Sequence, residues 1–264
     1  MAGRPGASGV HLESGGDGPA VLFLHGSGAS GAVWRPVLTR LRDRGARCRW
    51  LVADLPGHGR SAHGDDYSPE GYAGAVAAAV TGLLGDGAPL TVVGHSLGGL
   101  VGMTLADGTH GVEVRSLTVI AMKVAWTADE LARRAEAATR PPRVFPQEEQ
   151  AIERFRRVSG IRGPEFTEED LRSGVARYAD GYRLSGDPGI TRAGPATGPE
   201  LAGRMRRVTC PVRLACGDQD PGIDPAAMAE VLGHPVTVLP GAGHNVHIDR
   251  PDLIADLVEP ALAR

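Results

Sequence analysis

Leu90-Thr91-Val92-Val93-Gly94-His95-Ser96-Leu97-Gly98-Gly99 packs two different kinds of structure into ten residues. Its first four residues form a continuous run of apolar and β-branched side chains, the pattern of a strand buried on both faces. From Leu97 to Ala106 the pattern turns helical. Between them lies Gly-x-Ser-x-Gly. In a chain with 38 glycines that pattern is weak by itself; its setting gives it weight. A strand that turns sharply into a helix forces the central residue into a strained backbone conformation. Side chains two positions either side would strike neighbouring backbone, so glycine is needed there. The gain is a serine hydroxyl presented at a helix N-terminus, where free N–H groups and the helix dipole stabilise negative charge.

Similar short apolar runs occur at Ala20–Leu24, Trp50–Ala53, Leu117–Met122, Val212–Ala215 and Val236–Leu239, and His11–Glu13 reads as the end of a further strand. Helical patterns cover Val33–Arg42, Pro69–Leu84, Pro225–Leu232 and Pro251–Leu262. The second of these has Ser68 as N-cap and proline in the first helical position. Strands alternating with helices predict an α/β fold: a mostly parallel central sheet flanked by helices. One stretch breaks the alternation. From Lys123 to Arg207 no strand-like run occurs, and several helices joined by Pro- and Gly-containing turns are expected, one of them capped by Thr167. We read residues 123–207 as a helical cap inserted over the C-terminal edge of the sheet, and 1–122 with 208–264 as the core. The cap holds 16 basic and 13 acidic residues, the remainder 12 and 18. A slightly basic lid suits anionic substrates, and an ordinary solvated helical face accounts for the tilt equally well.

The net charge of -3 lacks the basic excess of a nucleic-acid binder. Lys123 is the only lysine, a bias that GC-rich coding explains. Three cysteines, Cys48, Cys210 and Cys216, give an odd count with no Cys-x-x-Cys pair, against a disulfide framework or a structural zinc site. The N-terminal residues carry no apolar run of the secretory type, and no stretch has the roughly 18 apolar residues of a membrane span. The expectation is a soluble cytoplasmic protein acting on a small molecule, with no nucleic-acid or membrane partner. Oligomeric state leaves no mark in the sequence.

A serine hydroxyl is a poor nucleophile at neutral pH and needs a base. His244, in Gly241-Ala242-Gly243-His244-Asn245, follows the strand Val236–Leu239 directly, on a loop at a strand's C-terminal end. His247 is its nearest rival and is expected to pack or cap at the final helix. The base needs a carboxylate to orient it. Asp218 and Asp220 both follow the strand Val212–Ala215; either fits, and both also suit a turn before a helix. An oxyanion needs two backbone donors. One is the N–H of Leu97. The other belongs in His25-Gly26-Ser27-Gly28, with His25 holding that loop.

Five segments together resemble the α/β-hydrolase superfamily, in particular its small capped esterases, lactonases and carbon–carbon bond hydrolases. They are LHGSG (24–28), DLPGHGRS (54–61), GHSLGG (94–99), CPVRLACGDQD (210–220) and GAGHNVHIDRP (241–251), in the family's order across nearly the whole chain. The resemblance implies an α/β-hydrolase fold with an inserted helical cap. It implies a Ser-His-Asp triad of Ser96, His244 and Asp220, an oxyanion hole from Ser27 and Leu97, and a structural role for His58. A serine at the elbow argues against haloalkane dehalogenases and epoxide hydrolases, which place aspartate there. The expected reaction is cleavage of a carboxylic ester, lactone or related acyl compound through an acyl-enzyme on Ser96, with no metal or organic cofactor. The same scaffold also carries lyase, acyl-transfer, carbon–carbon cleavage and cofactor-free oxygenase chemistry, and non-catalytic ligand binding. Only the cap matches nothing; within it Trp126 is expected to form a wall of the substrate pocket.

Overall fold

The computed structural model describes residues 9–192 and 194–262. Seven strands form one sheet: β1 (Leu12–Gly15), β2 (Ala20–Leu24), β3 (Arg49–Ala53), β4 (Pro89–His95), β5 (Glu113–Ile120), β8 (Val212–Gly217) and β9 (Val236–Leu239). Their order is β1-β3-β2-β4-β5-β8-β9. β1 runs antiparallel to β3, and every other pairing in this sheet is parallel. The apolar runs earn their place here, for Val21 to Leu24 in β2 are wholly buried. Strand β9 lies at the sheet edge, and its Thr237 and Val238 are exposed.

Helices cover both faces. On one lie α1 (Arg35–Asp43) and α11 (Pro251–Leu262), which pack together beside the short α10 (Val246–Asp249). On the other lie α2 (Pro69–Leu84), α3 (Leu97–Leu105) and α9 (Pro225–Leu232). Ser68 Oγ accepts the Gly71 N–H at 3.0 Å, so α2 starts where its cap and proline predict. A single 3-10 turn, Gly31–Trp34, precedes α1 in place of the first turn expected from Val33.

Because β2, β3, β4, β5, β8 and β9 all run parallel, their following loops emerge at one edge of the sheet. Register keeps those ends level: Leu24 pairs with Gly94, His95 with Ile120, and Gly217 with Leu239. Strand β5 ends before the expected Met122 because Ala121 has φ 50°, outside strand geometry.

The segment between β5 and β8 contains α4 (Ala128–Thr139), α5 (Glu148–Ser159), α6 (Glu168–Arg172), α7 (Pro188–Arg192) and α8 (Gly198–Met205). Thr167 caps α6 through a reciprocal box with Asp170. The segment is not free of strand, however. β6 (Val175–Tyr178) and β7 (Gly181–Leu184) form an antiparallel hairpin. Each arm has only four residues, with arginine in its interior, so no apolar run announces it. Its stability comes from a distant partner: Phe145 and Tyr182 exchange two backbone hydrogen bonds of 2.8 Å. The close approach also explains Gly181, whose φ is +136° and where a Cβ would sit 2.6 Å from the Phe145 carbonyl oxygen. α8 stacks on α3 and α9, in the same layer as the core helices.

Candidate active site

The strand-to-helix turn has the expected strain. Ser96 stands between β4 and α3 with φ 50° and ψ -113°. Among the described residues it shares positive φ with only one other non-glycine residue, Ala121. The three surrounding glycines are sterically required. A Cβ on Gly94 would overlap the Gly98 backbone, one on Gly98 would overlap the Leu24 carbonyl, and one on Gly99 would lie 2.8 Å from Val119 Cγ1. Leu97 opens α3, so its N–H has no acceptor one turn back within the helix.

The loop after β2 comes close to this turn. A Cβ on Gly26 would lie 2.6 Å from His95 Nδ1, so glycine is what allows the approach. His25 ties the loop down from below. The Leu55 N–H donates to its Nε2 at 2.9 Å, so Nδ1 carries the proton and donates to the Gly26 carbonyl at 2.8 Å. Burial pushes this imidazole down to about 4, and it remains neutral. Ser27 follows, exposed, on the rim of a cavity of about 950 Å³ that Ser96, Leu97, Asp220 and His244 also line.

His244 Nδ1 lies 2.7 Å from Asp220 Oδ2. An ionised carboxylate only accepts, so Nδ1 bears the hydrogen, and it is Nε2 that carries the lone pair of the neutral imidazole. The His244 side chain is 45% exposed and that of Asp220 only 3%, so the base meets the cavity while the acid is sheltered behind it. Burial works to raise the Asp220 carboxyl. The hydrogen bonds from His244 and from the Gly222 N–H, with the charge of Lys123, outweigh it and keep the group below its ordinary value. Asp218 does something else. Its Oδ1 accepts the N–H groups of Gly241 at 2.8 Å and Ala242 at 3.3 Å, which anchors the loop that carries His244. The backbone of His244 is fixed too, its carbonyl accepting from His95 Nε2 at 3.0 Å.

Comparison with known proteins places the chain in a family. Residues 21–257 match the model of the alpha/beta hydrolase family. The chain belongs to the alpha/beta hydrolase family. It is 32% identical over 221 residues to a pimeloyl-[acyl-carrier protein] methyl ester esterase of Methylococcus capsulatus, covering 80% of each chain. It is 28% identical to a 2-(acetamidomethylene)succinate hydrolase of Mesorhizobium japonicum, covering 92% of this chain and 88% of that one. The crystal structure of an E-2-(acetamidomethylene)succinate hydrolase superposes with a TM-score of 0.77 at 25% identity, covering 97% of this chain and 95% of that one.

This alpha/beta hydrolase builds its floor from imidazoles. The ring centroids of His95 lie 4.8 Å from those of His244 and 4.6 Å from those of His247, and His247 stacks on Trp34 at 4.7 Å. His247 is therefore a packing residue, as expected, although it also touches the cavity. Burial, with the neighbouring His244 and His25, pushes it down to about 3. His58 is likewise buried and held down to about 3, mainly by desolvation, with Nδ1 3.1 Å from the Pro56 carbonyl oxygen. His95 and His247 share the cavity lining with Ser96 and, as neutral rings, add no charge there.

Trp126 lines the cavity, as its position at the start of the inserted segment predicts. Sequence reasoning missed Tyr67, Tyr72, Arg134 and Arg204, which line it as well. Tyr72 lies in the Ala-rich α2 and reads as core; nothing local to it points to a cavity. Arg134 is one arginine among many on an exposed helix. No helix among the described residues is long and apolar enough to cross a membrane.

Proposed function

We propose that this protein is a serine hydrolase that cleaves a carboxylic ester, lactone or related acyl compound through an acyl-enzyme on Ser96. The observation that carries the reading is the 2.7 Å contact of His244 Nδ1 with buried Asp220, in one cavity with a serine held at positive φ on a helix N-terminus. His244 Nε2 takes the proton as Ser96 Oγ attacks the carbonyl carbon. The N–H groups of Leu97 and Ser27 hold the oxyanion that forms. The tetrahedral intermediate collapses, and His244 protonates the departing alcohol. Water then enters, gives its proton to His244, and releases the acid by the same route. This sequence calls on no metal or organic cofactor.

A cavity of about 950 Å³ suits a small-molecule substrate. The similar proteins, one named an esterase and one a hydrolase, favour hydrolysis over the other reactions this scaffold carries. The segment 123–207 acts as the cap over this cavity, except that α8 works as part of the core layer.

The test is fluorophosphonate labelling and p-nitrophenyl ester turnover by wild type and Ser96→Ala. Wild type is expected to be labelled and active, and the variant unlabelled and slower by roughly 10⁴-fold or more. Retained turnover in pure Ser96→Ala protein refutes the mechanism.

A further inference from the structure

The cavity wall contributed by the inserted segment is unevenly charged. Three cations line it: Lys123, Arg134 and Arg204. Two are already balanced. Lys123 Nζ is bonded to Glu130 Oε1, whose second oxygen accepts the Thr127 N–H at 3.0 Å. Arg204 grips Glu70 with both terminal nitrogens, at 2.7 and 3.2 Å. Arg134 has no ion-pair or hydrogen-bond partner among the described residues. Its guanidinium instead rests on Trp126, 5.0 Å from the ring centroid, and Lys123 Nζ approaches the same ring at 4.9 Å.

The acids of the cavity do not answer this charge. Asp220 is engaged by His244, Asp66 by the Ser68 N–H, and Glu200 by the Thr197 N–H and hydroxyl. The corner is also short of acceptors. Arg134 Nε and Trp126 Nε1 are both enclosed with no hydrogen-bond partner among the described residues. Two N–H donors side by side without an acceptor are unfavourable until one arrives. The same cavity also has apolar side chains in its walls, among them Leu97, Leu100, Met122 and Ile223.

We infer that Arg134, braced on Trp126, receives a carboxylate carried by the substrate, so that the preferred substrates are esters or related acyl compounds with an apolar body and an acidic group away from the scissile carbonyl. One free guanidinium balances one charge, which fits a carboxylate better than a doubly charged phosphate. The planar fork accepts it through two parallel hydrogen bonds, a geometry lysine does not reproduce. The aromatic brace keeps the side chain from collapsing onto solvent. This inference rests on the Ser96 reading for the position of the cleaved bond, and not for the binding of the carboxylate.

The experiment compares two substrates, p-nitrophenyl butyrate and the p-nitrophenyl monoester of glutaric acid. In wild type the acidic ester is expected to have the higher kcat/KM. In Arg134→Gln the ratio of acidic to neutral kcat/KM is expected to fall at least about tenfold, mostly through KM, with Arg134→Lys in between. A ratio that stays within about twofold of wild type in a folded Arg134→Gln protein overturns the inference. Should the glutamine variant not fold, Arg134→Met keeps the length and removes the charge, and carries the same expectation. A second readout separates the two readings. Glutarate binding by calorimetry to wild type and Arg134→Gln involves no chemistry at Ser96. Binding that the variant loses supports the subsite even if fluorophosphonate fails to label Ser96. No binding to wild type overturns the subsite even if Ser96 is labelled.

Discussion

Arg35 Nε on the core donates to Asp170 Oδ1 on the inserted segment at 2.9 Å. The other end of the same guanidinium reaches Glu13 at 2.6 Å, and Arg60 joins Glu13 to Glu169 beside it. Ser30 and Ser173 add a contact of 2.8 Å. Together these pin α6 to the sheet. Asp170 is the buried member, its second oxygen accepting from the Thr167 N–H and hydroxyl at 2.9 Å each. Asp170→Ala removes all three acceptor bonds and leaves the Thr167 N–H and hydroxyl without their acceptor. A loss of about 2 kcal/mol is expected, seen as a Tm lower by roughly 5 °C in a thermal melt. An unchanged melt would mean that the clamp is ornamental.

The two aspartates after β8 have separable jobs. Asp220→Asn keeps the geometry but offers His244 the wrong hydrogen-bonding partner, and kcat is expected to drop by about 10⁴ with little change in Tm. Asp218→Asn weakens the support of Gly241 and Ala242. It is expected to destabilise by about 1 kcal/mol and to retain far more activity than Asp220→Asn. Reversal of the two phenotypes would exchange their assignments.

Gly98→Ala drives a methyl group into the Leu24 carbonyl and crowds that of His25. Both belong to the strand end and loop that hold Ser27. The backbone must shift, at about 1–3 kcal/mol, and turnover is expected to fall by more than about 100-fold because reacting groups are sensitive to displacements of 1 Å. Tm and ester turnover measured on the same preparation test both parts. Gly82, where a Cβ meets nothing within 4 Å, is the control: Gly82→Ala on α2 is expected to be neutral or slightly stabilising.

Stability should fall in mild acid. Burial holds His25 at about 4 and His58 and His247 at about 3, against the ordinary 6.5. Above pH 6.5 these rings are neutral in both the folded and unfolded chain. As pH falls below it, the unfolded chain binds protons that the folded one refuses, so stability declines until the folded values are reached. The limiting slope is about 1.4 kcal/mol per pH unit for each ring. His11, raised by its hydrogen bond to Glu13, acts in the opposite direction but is a single group. Urea unfolding at pH 7.5, 6 and 5 is expected to show a steady loss, and His247→Phe a shallower one. Equal slopes in the two proteins would show that His247 takes up its proton while folded.

The core was legible because its signals are local. Buried parallel strands write themselves as apolar runs, and Ser68-Pro69 and Asp224-Pro225 mark two helix starts to the residue. That Ser96, Asp220 and His244 line one cavity was legible for a related reason, since each lies in the turn or loop that follows such a strand. Choosing Asp220 over Asp218 needed the family resemblance; the residues alone allow both, and only the fold displays their different partners. The β6–β7 hairpin escaped because its strands are short and polar and depend on Phe145, some 30 residues upstream. Arg134 escaped because being unpaired is not a property of sequence. It follows from where every carboxylate in the neighbourhood has already been spent.

The strand order has a consequence for a chain made from its N-terminus. Ser96 and its elbow, on strands β2 to β5, are made before the rest of the proposed site. Asp220 and His244 arrive only with β8 and β9, after 85 residues of inserted segment have passed. A nascent or truncated chain that stops short of β8 therefore holds Ser96 without Asp220 or His244 beside it. On the proposed mechanism, the serine gains its base only once β8 and β9 have been made and have taken their places in the sheet.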